Sequence, residues 1–189
     1  MYELKLALFG FITGILSIVL SPGIFTIFLF PGAIYGLFLG LYFYPKNRID
    51  RQKANNIFIF TVLSAIAYLV ASLGIGFLNN NLLEDIVRLG PEIDDMPVLS
   101  LILSGLVGSA ILLGAFHFYI KRITVGQYVR LVLLGGVLGL TWYAIPSGTI
   151  FPSSGGISSP TEGIFAVLVF WQMGMTMGIG LFTRQSEGI

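Results

Sequence analysis

Few residues in this 189-residue chain can do chemistry at all. It has no cysteine and one histidine, so disulfides, thiolate metal sites and multi-histidine haem or relay sites lack their residues. The histidine, His117, sits among Phe116, Phe118 and Tyr119 near the end of an apolar run. Ser104 and Ser109 precede it there, but at least about two helical turns away and with no acid nearby. A Ser–His hydrolase needs nucleophile, base and orienting acid within hydrogen-bond reach. His117 therefore reads as an interfacial anchor. Glu92, Asp94 and Asp95 lie close together, yet they lack the ligand spacing and glycine of a calcium loop and read as a solvated acidic loop. No phosphate-binding loop or metal-ligand spacing occurs, so neither cofactor nor metal is expected, and catalysis is not expected either.

The polar oddity is Trp171-Gln172, in the middle of the last apolar run. An amide at membrane depth carries two donors and an acceptor that lipid cannot satisfy, so Gln172 must face protein. Two readings follow. The plain one pairs Gln172 with a neighbouring hydroxyl or carbonyl. The functional one makes it the floor of a pocket walled by Trp171, Tyr68 and Tyr35. Met173, Met175 and Met177 follow it, and flexible thioethers suit either irregular packing or an adaptable apolar site.

The elements that must position these residues are set by composition. Hydrophobic side chains make up 56% of the chain and charged ones 10%, with a mean hydropathy of +0.91. Soluble domains carry about a quarter charged residues. The expected class is an all-α integral membrane protein forming a single domain over residues 1–189. Net charge is +1, which supplies no basic field for nucleic acid.

A spanning helix needs roughly 20 mainly apolar residues. Ile57–Leu78, Val98–Ile120, Tyr128–Ile145 and Gly163–Phe182 meet that length directly. The uncharged run Leu6–Tyr44 would be about 58 Å long as one helix, nearly two bilayers. Ser21-Pro22-Gly23 is its natural turn, giving spans Leu6–Leu20 and Ile24–Tyr44, with Pro31-Gly32 kinking the second. The count is six. The first span lacks a cleavage site before Ser21 and is expected to be retained.

Charge placement bears on that count separately. Six spans put Lys5, Lys46, Arg48, Arg51, Lys53, Lys121, Arg122, Arg130 and Arg184 on one side, with Arg88 alone opposite. Glu84, Asp85, Glu92, Asp94, Asp95 and Glu162 fall in the two long loops of the other side. This is the positive-inside pattern with both termini cytoplasmic. In the outer loop 79–97, Asn81 and Glu84 cap an apolar pattern that Gly90-Pro91 ends, which predicts a short amphipathic interfacial helix. The loop from Pro146 to Pro160 is turn-rich and polar, fit to connect two helices or to close over a ligand.

Small residues four apart mark the helices. Gly10/Gly14, Gly32/Gly36/Gly40, Ala67/Ala71, Gly105/Ser109, Gly135/Gly139 and Gly174/Gly178 let helices approach closely. Most of these should pack within the bundle. The triple stripe Gly32/Gly36/Gly40 is the first candidate for a face toward another membrane subunit.

Six spans in about this length, cytoplasmic termini and a small-residue face on the first helix resemble the substrate-binding S components of energy-coupling-factor importers. That likeness is one of architecture over the whole chain. It implies a non-catalytic transport component that binds a small organic solute in an outward-facing pocket and draws energy from partners. The alternative is an accessory or assembly subunit of a larger membrane complex. Either would sit in the lipid bilayer of a bacterial inner membrane or an equivalent internal membrane.

Overall fold

The structure, a computed structural model, describes residues 2–20, 26–44, 51–77, 98–143 and 167–185. Among these residues there are six α-helices and no strand. The helices are α1 (Tyr2–Val19), α2 (Thr26–Phe43), α3 (Arg51–Phe77), α4 (Val98–Tyr119), α5 (Val125–Gly139) and α6 (Gln172–Gln185). A 3₁₀ turn, Leu140–Tyr143, extends α5, and a π-helical turn, Val167–Trp171, leads into α6. Two helices are long and apolar enough to cross a membrane, α3 over Arg51–Leu73 and α4 over Leu99–Tyr119. The other described apolar helices are shorter. The amphipathic helix expected in 79–97 and the loop 146–160 lie outside the described residues.

Local chemistry explains the helix ends. α1 stops at Val19 and α2 starts at Thr26, on either side of Ser21-Pro22-Gly23. α5 begins at Val125, three residues before the expected Tyr128, because Thr124 and Gln127 form a capping box. The Gln127 amide donates to Thr124 Oγ1 at 3.3 Å, and the Thr124 amide donates to Gln127 Oε1 at 2.9 Å.

Each helix packs on its neighbours in the chain, and α6 closes on α1 to complete a ring. Glycines set the approach distances. A side chain begun at Gly32 would stand 2.5 Å from the Ser64 carbonyl oxygen, and one at Gly36 would stand 2.5 Å from Ser64 Cβ. Gly40 faces Ile57 and Phe60 less tightly, at 3.3 and 3.4 Å. The triple stripe therefore packs on α3 of this chain, the helix-packing one of the two roles considered for it. Gly10 and Gly14 meet the backbone of Met173 and Val169, so α1 lies tightly on α6 and the turn before it. Gly105 and Gly139 meet the carbonyls of Gly135 and Leu101, joining α4 to α5.

The interior is filled by rings and hydroxyls together. Phe43, Phe60 and Phe116 form edge contacts at 5.6 and 6.0 Å, with Leu112, Leu113 and Ile179 buried beside them. Thr13, Ser17, Ser64, Ser104, Ser109 and Thr176 are also buried, while Leu8, Phe58, Leu73, Leu133 and Val137 are more than half exposed. Apolar side chains thus face outward as well as inward, with hydroxyls buried among the inner ones.

Among the described residues the basic side chains gather at one end. Leu6 meets Gly180, Gln127 Nε2 donates to the Phe182 carbonyl, and Asn56 Nδ2 donates to the Tyr44 hydroxyl. These contacts bring the starts of α1, α3 and α5 level with the ends of α2, α4 and α6. Lys5, Arg51, Lys53, Lys121, Arg122 and Arg130 all lie at that level.

Candidate functional site

Trp171 and Gln172 occupy the junction between the π-helical turn and α6. Adjacent residues on a regular helix point about 100° apart, so usually only one of a pair faces the core. Here both do, with Trp171 at 6% and Gln172 at 0% exposure. They turn to different neighbours. Trp171 Nε1 donates to the Gly135 carbonyl on α5 at 3.2 Å. Gln172 Nε2 donates to Ser17 Oγ on α1 at 3.2 Å and to the Tyr68 hydroxyl on α3 at 3.3 Å.

A second strand of bonds ties in α2. Thr176 Oγ1 donates to the Gln172 carbonyl at 2.7 Å, which uses its one hydrogen. The Tyr35 hydroxyl, 3.1 Å away, is therefore the donor to Thr176 Oγ1. Below Ser17 the pattern repeats along α1. Ser17 Oγ donates to the Thr13 carbonyl and Thr13 Oγ1 to the Gly10 carbonyl. Five helices thus meet around one two-residue step.

One atom is left over. Gln172 Oε1 is buried and has no hydrogen-bond partner. Leaving such an acceptor dry costs about 1–3 kcal/mol, and an orphan of this kind calls for an explanation. The Tyr68 hydroxyl accepts from Gln172.

Next to this contact lies a cavity of about 70 Å³. Tyr68 and Trp171 form its aromatic wall, with rings 5.6 Å apart at 88°. Ala67, Ala71, Gly105 and Gly108 leave the space that larger side chains would fill. Two serines border it with their hydrogens already committed, Ser104 to the Ala71 carbonyl and Ser72 to the Tyr68 carbonyl. Among the described residues no charged side chain lines it. The cavity lies in the half of the bundle remote from the basic end, beside the later part of α3 and the earlier part of α4. Its chemistry suits an uncharged, mainly apolar group.

The four residues singled out from sequence come together, in two layers. Tyr68 and Trp171 line the cavity. Gln172 and Tyr35 are not among its lining residues, and the Gln172 amide is bonded to the Tyr68 hydroxyl of the aromatic wall. Tyr35 also touches Trp171 edge-on at 6.0 Å. Sequence reasoning expected a pocket beside Trp171 and Tyr68 but missed Ser17, Thr176 and the small residues of α3 and α4 that line the cavity. Those were readable only as two small-residue stripes, Ala67/Ala71 and Gly105/Ser109, at matching heights on consecutive antiparallel helices.

His117 lies elsewhere. Its Nδ1 accepts from the Ile123 amide at 3.1 Å, which fastens the turn between α4 and α5. Ser109 Oγ points to Met175 Sδ and Ser104 Oγ to Ala71, so neither serine engages the histidine. Among the described residues no group of three or more His, Asp or Glu side chains could hold a metal ion. No family model, curated protein or solved structure matches this chain.

Proposed function

We propose that this chain is a six-span, non-catalytic membrane protein that binds a small uncharged solute as a component of a transport system. The observation that carries the reading is the cavity walled by Tyr68 and Trp171, backed by an amide whose oxygen has no partner. Binding sites are typically apolar hollows with a few convergent polar groups, and this one has that composition. Two long apolar helices, an apolar exterior and buried hydroxyls support a lipid setting.

The basic end is the cytoplasmic side on this reading, as in a bacterial inner membrane or an equivalent internal one. The cavity then lies in the outer half, where an incoming solute arrives. Energy for transport comes from partner subunits, in keeping with the importer S components whose architecture the sequence resembles.

The experiment is native mass spectrometry after gentle extraction from the source membrane. A reproducible small-molecule mass on the wild-type chain, absent from Ala71→Leu, is the expected result. Ala71 lines the cavity, so a leucine there fills it. A bare wild-type chain that no neutral solute stabilises thermally would overturn the reading.

A further inference from the structure

A second hollow opens at the basic end, on the outside of the hairpin between α4 and α5. It is a groove of about 260 Å³ lined by Gly114, His117, Phe118, Ile123, Val125 and Tyr128. Its walls are fixed. The Tyr128 hydroxyl donates to the Ala110 carbonyl at 2.9 Å, and His117 holds the Ile123 amide. Its floor is open because Gly114 has no side chain, and nothing lies within 4 Å of where one would start. Phe118 and Val125, both 81% exposed, stand at its rim.

The lining is apolar apart from the His117 imidazole and the Tyr128 hydroxyl, and both are committed to backbone groups. Lys121 and the exposed Arg122 immediately precede the lining residue Ile123, and Arg130 is exposed one turn beyond Gly126. A soluble anion would have no use for the apolar length, and an uncharged chain none for the neighbouring basic residues. We infer that this groove holds an anionic phospholipid, its headgroup phosphate at Lys121 and Arg122 and one acyl chain along Phe118 and Gly114. Basic residues beside helices at the cytoplasmic surface attract anionic lipid in this way. The inference rests on the membrane reading above and on no part of the solute cavity.

The test begins with alkaline extraction of membranes carrying the protein. Release into the soluble fraction would overturn the membrane reading, and this inference with it. For protein retained in the membrane, native mass spectrometry compares phosphatidylglycerol, phosphatidylcholine of the same chains, and glycerol phosphate. Wild type should retain phosphatidylglycerol at least about five-fold over phosphatidylcholine and should not retain glycerol phosphate. Arg122→Gln should lose most of that preference. Gly114→Leu fills the groove from a position with open space, and should lower retention of both lipids without lowering the thermal midpoint. Equal retention of the two lipids by wild type would overturn the inference. So would an unchanged preference in both variants, or retention of glycerol phosphate as strong as that of the lipid.

Discussion

The side-chain nitrogen of Gln172 lies 3.3 Å from the Tyr68 hydroxyl oxygen, joining the last helix to the third across the interior of the bundle. Tyr68 is one wall of the cavity, so this bond sets the position of a surface that Gln172 does not itself form.

Gln172→Leu should therefore separate binding from stability. The variant loses two amide bonds, each worth about 0.6 kcal/mol on average between membrane helices. It also removes the unpartnered oxygen, which offsets much of that loss. The expected change in unfolding free energy is about 1 kcal/mol or less, with solute binding abolished. Denaturant titration in detergent, alongside mass spectrometry of the bound solute, measures both. A loss above about 3 kcal/mol with binding retained would make the amide purely structural.

Glycine substitutions should rank by what each side chain would meet. Gly36→Leu drives into Ser64 and pushes α2 off α3, for an expected cost of about 3 kcal/mol or more. Gly114→Ala enters open space and gains helix propensity, for an expected change between zero and about 1 kcal/mol in favour of folding. Thermal unfolding of both variants in one detergent gives the ranking.

Removing the Thr124 side chain tests the start of α5. Thr124→Ala deletes the hydroxyl that accepts from the Gln127 amide. A loss of about 1 kcal/mol is expected, with faster amide hydrogen exchange confined to the first turn of α5. Exchange that rises equally throughout α5 would show that the cap has no local role.

Because the chain has no cysteine, single introduced cysteines report topology without background. Arg122→Cys should react with a membrane-impermeant maleimide only after the membrane is opened. Asp94→Cys should react in intact cells. Identical labelling of the two would rule out a crossing by α4, and reversed labelling would rule out the cytoplasmic placement of the basic end.

Helix content and the inward turn of Gln172 were legible because both rest on strong constraints. Uncharged runs of spanning length have few other forms, and an amide among apolar residues has few tolerable places. Tyr68, Tyr35 and Trp171 followed from being the large amphipathic rings available at similar depth. Ser17 and Thr176 were not legible, since a helical hydroxyl can bond its own preceding carbonyl and leave no trace in the pattern, as Thr61 does to Ile57. The π-helical turn was hidden for a related reason. Val167-Leu-Val-Phe-Trp171 reads as an ordinary apolar helix, and only packing on both sides shows the extra residue in the turn. The direction of the Gly32/Gly36/Gly40 stripe was also beyond sequence, because close approach to one's own neighbour and to a stranger need the same residues.

The closure of α6 onto α1 has a consequence for biosynthesis. Helices leave the ribosome in chain order, and the first must wait beside a gap until the sixth arrives. On the membrane reading proposed above, the Gln172 amide reaches Ser17 and Tyr68 only once the last helix has entered the bilayer. Until then the half-made bundle would be an open crescent with the inner faces of α1 and α3 turned toward lipid. A stalled or truncated chain would present the same open faces, which would give membrane quality control a feature by which to tell it from the finished ring.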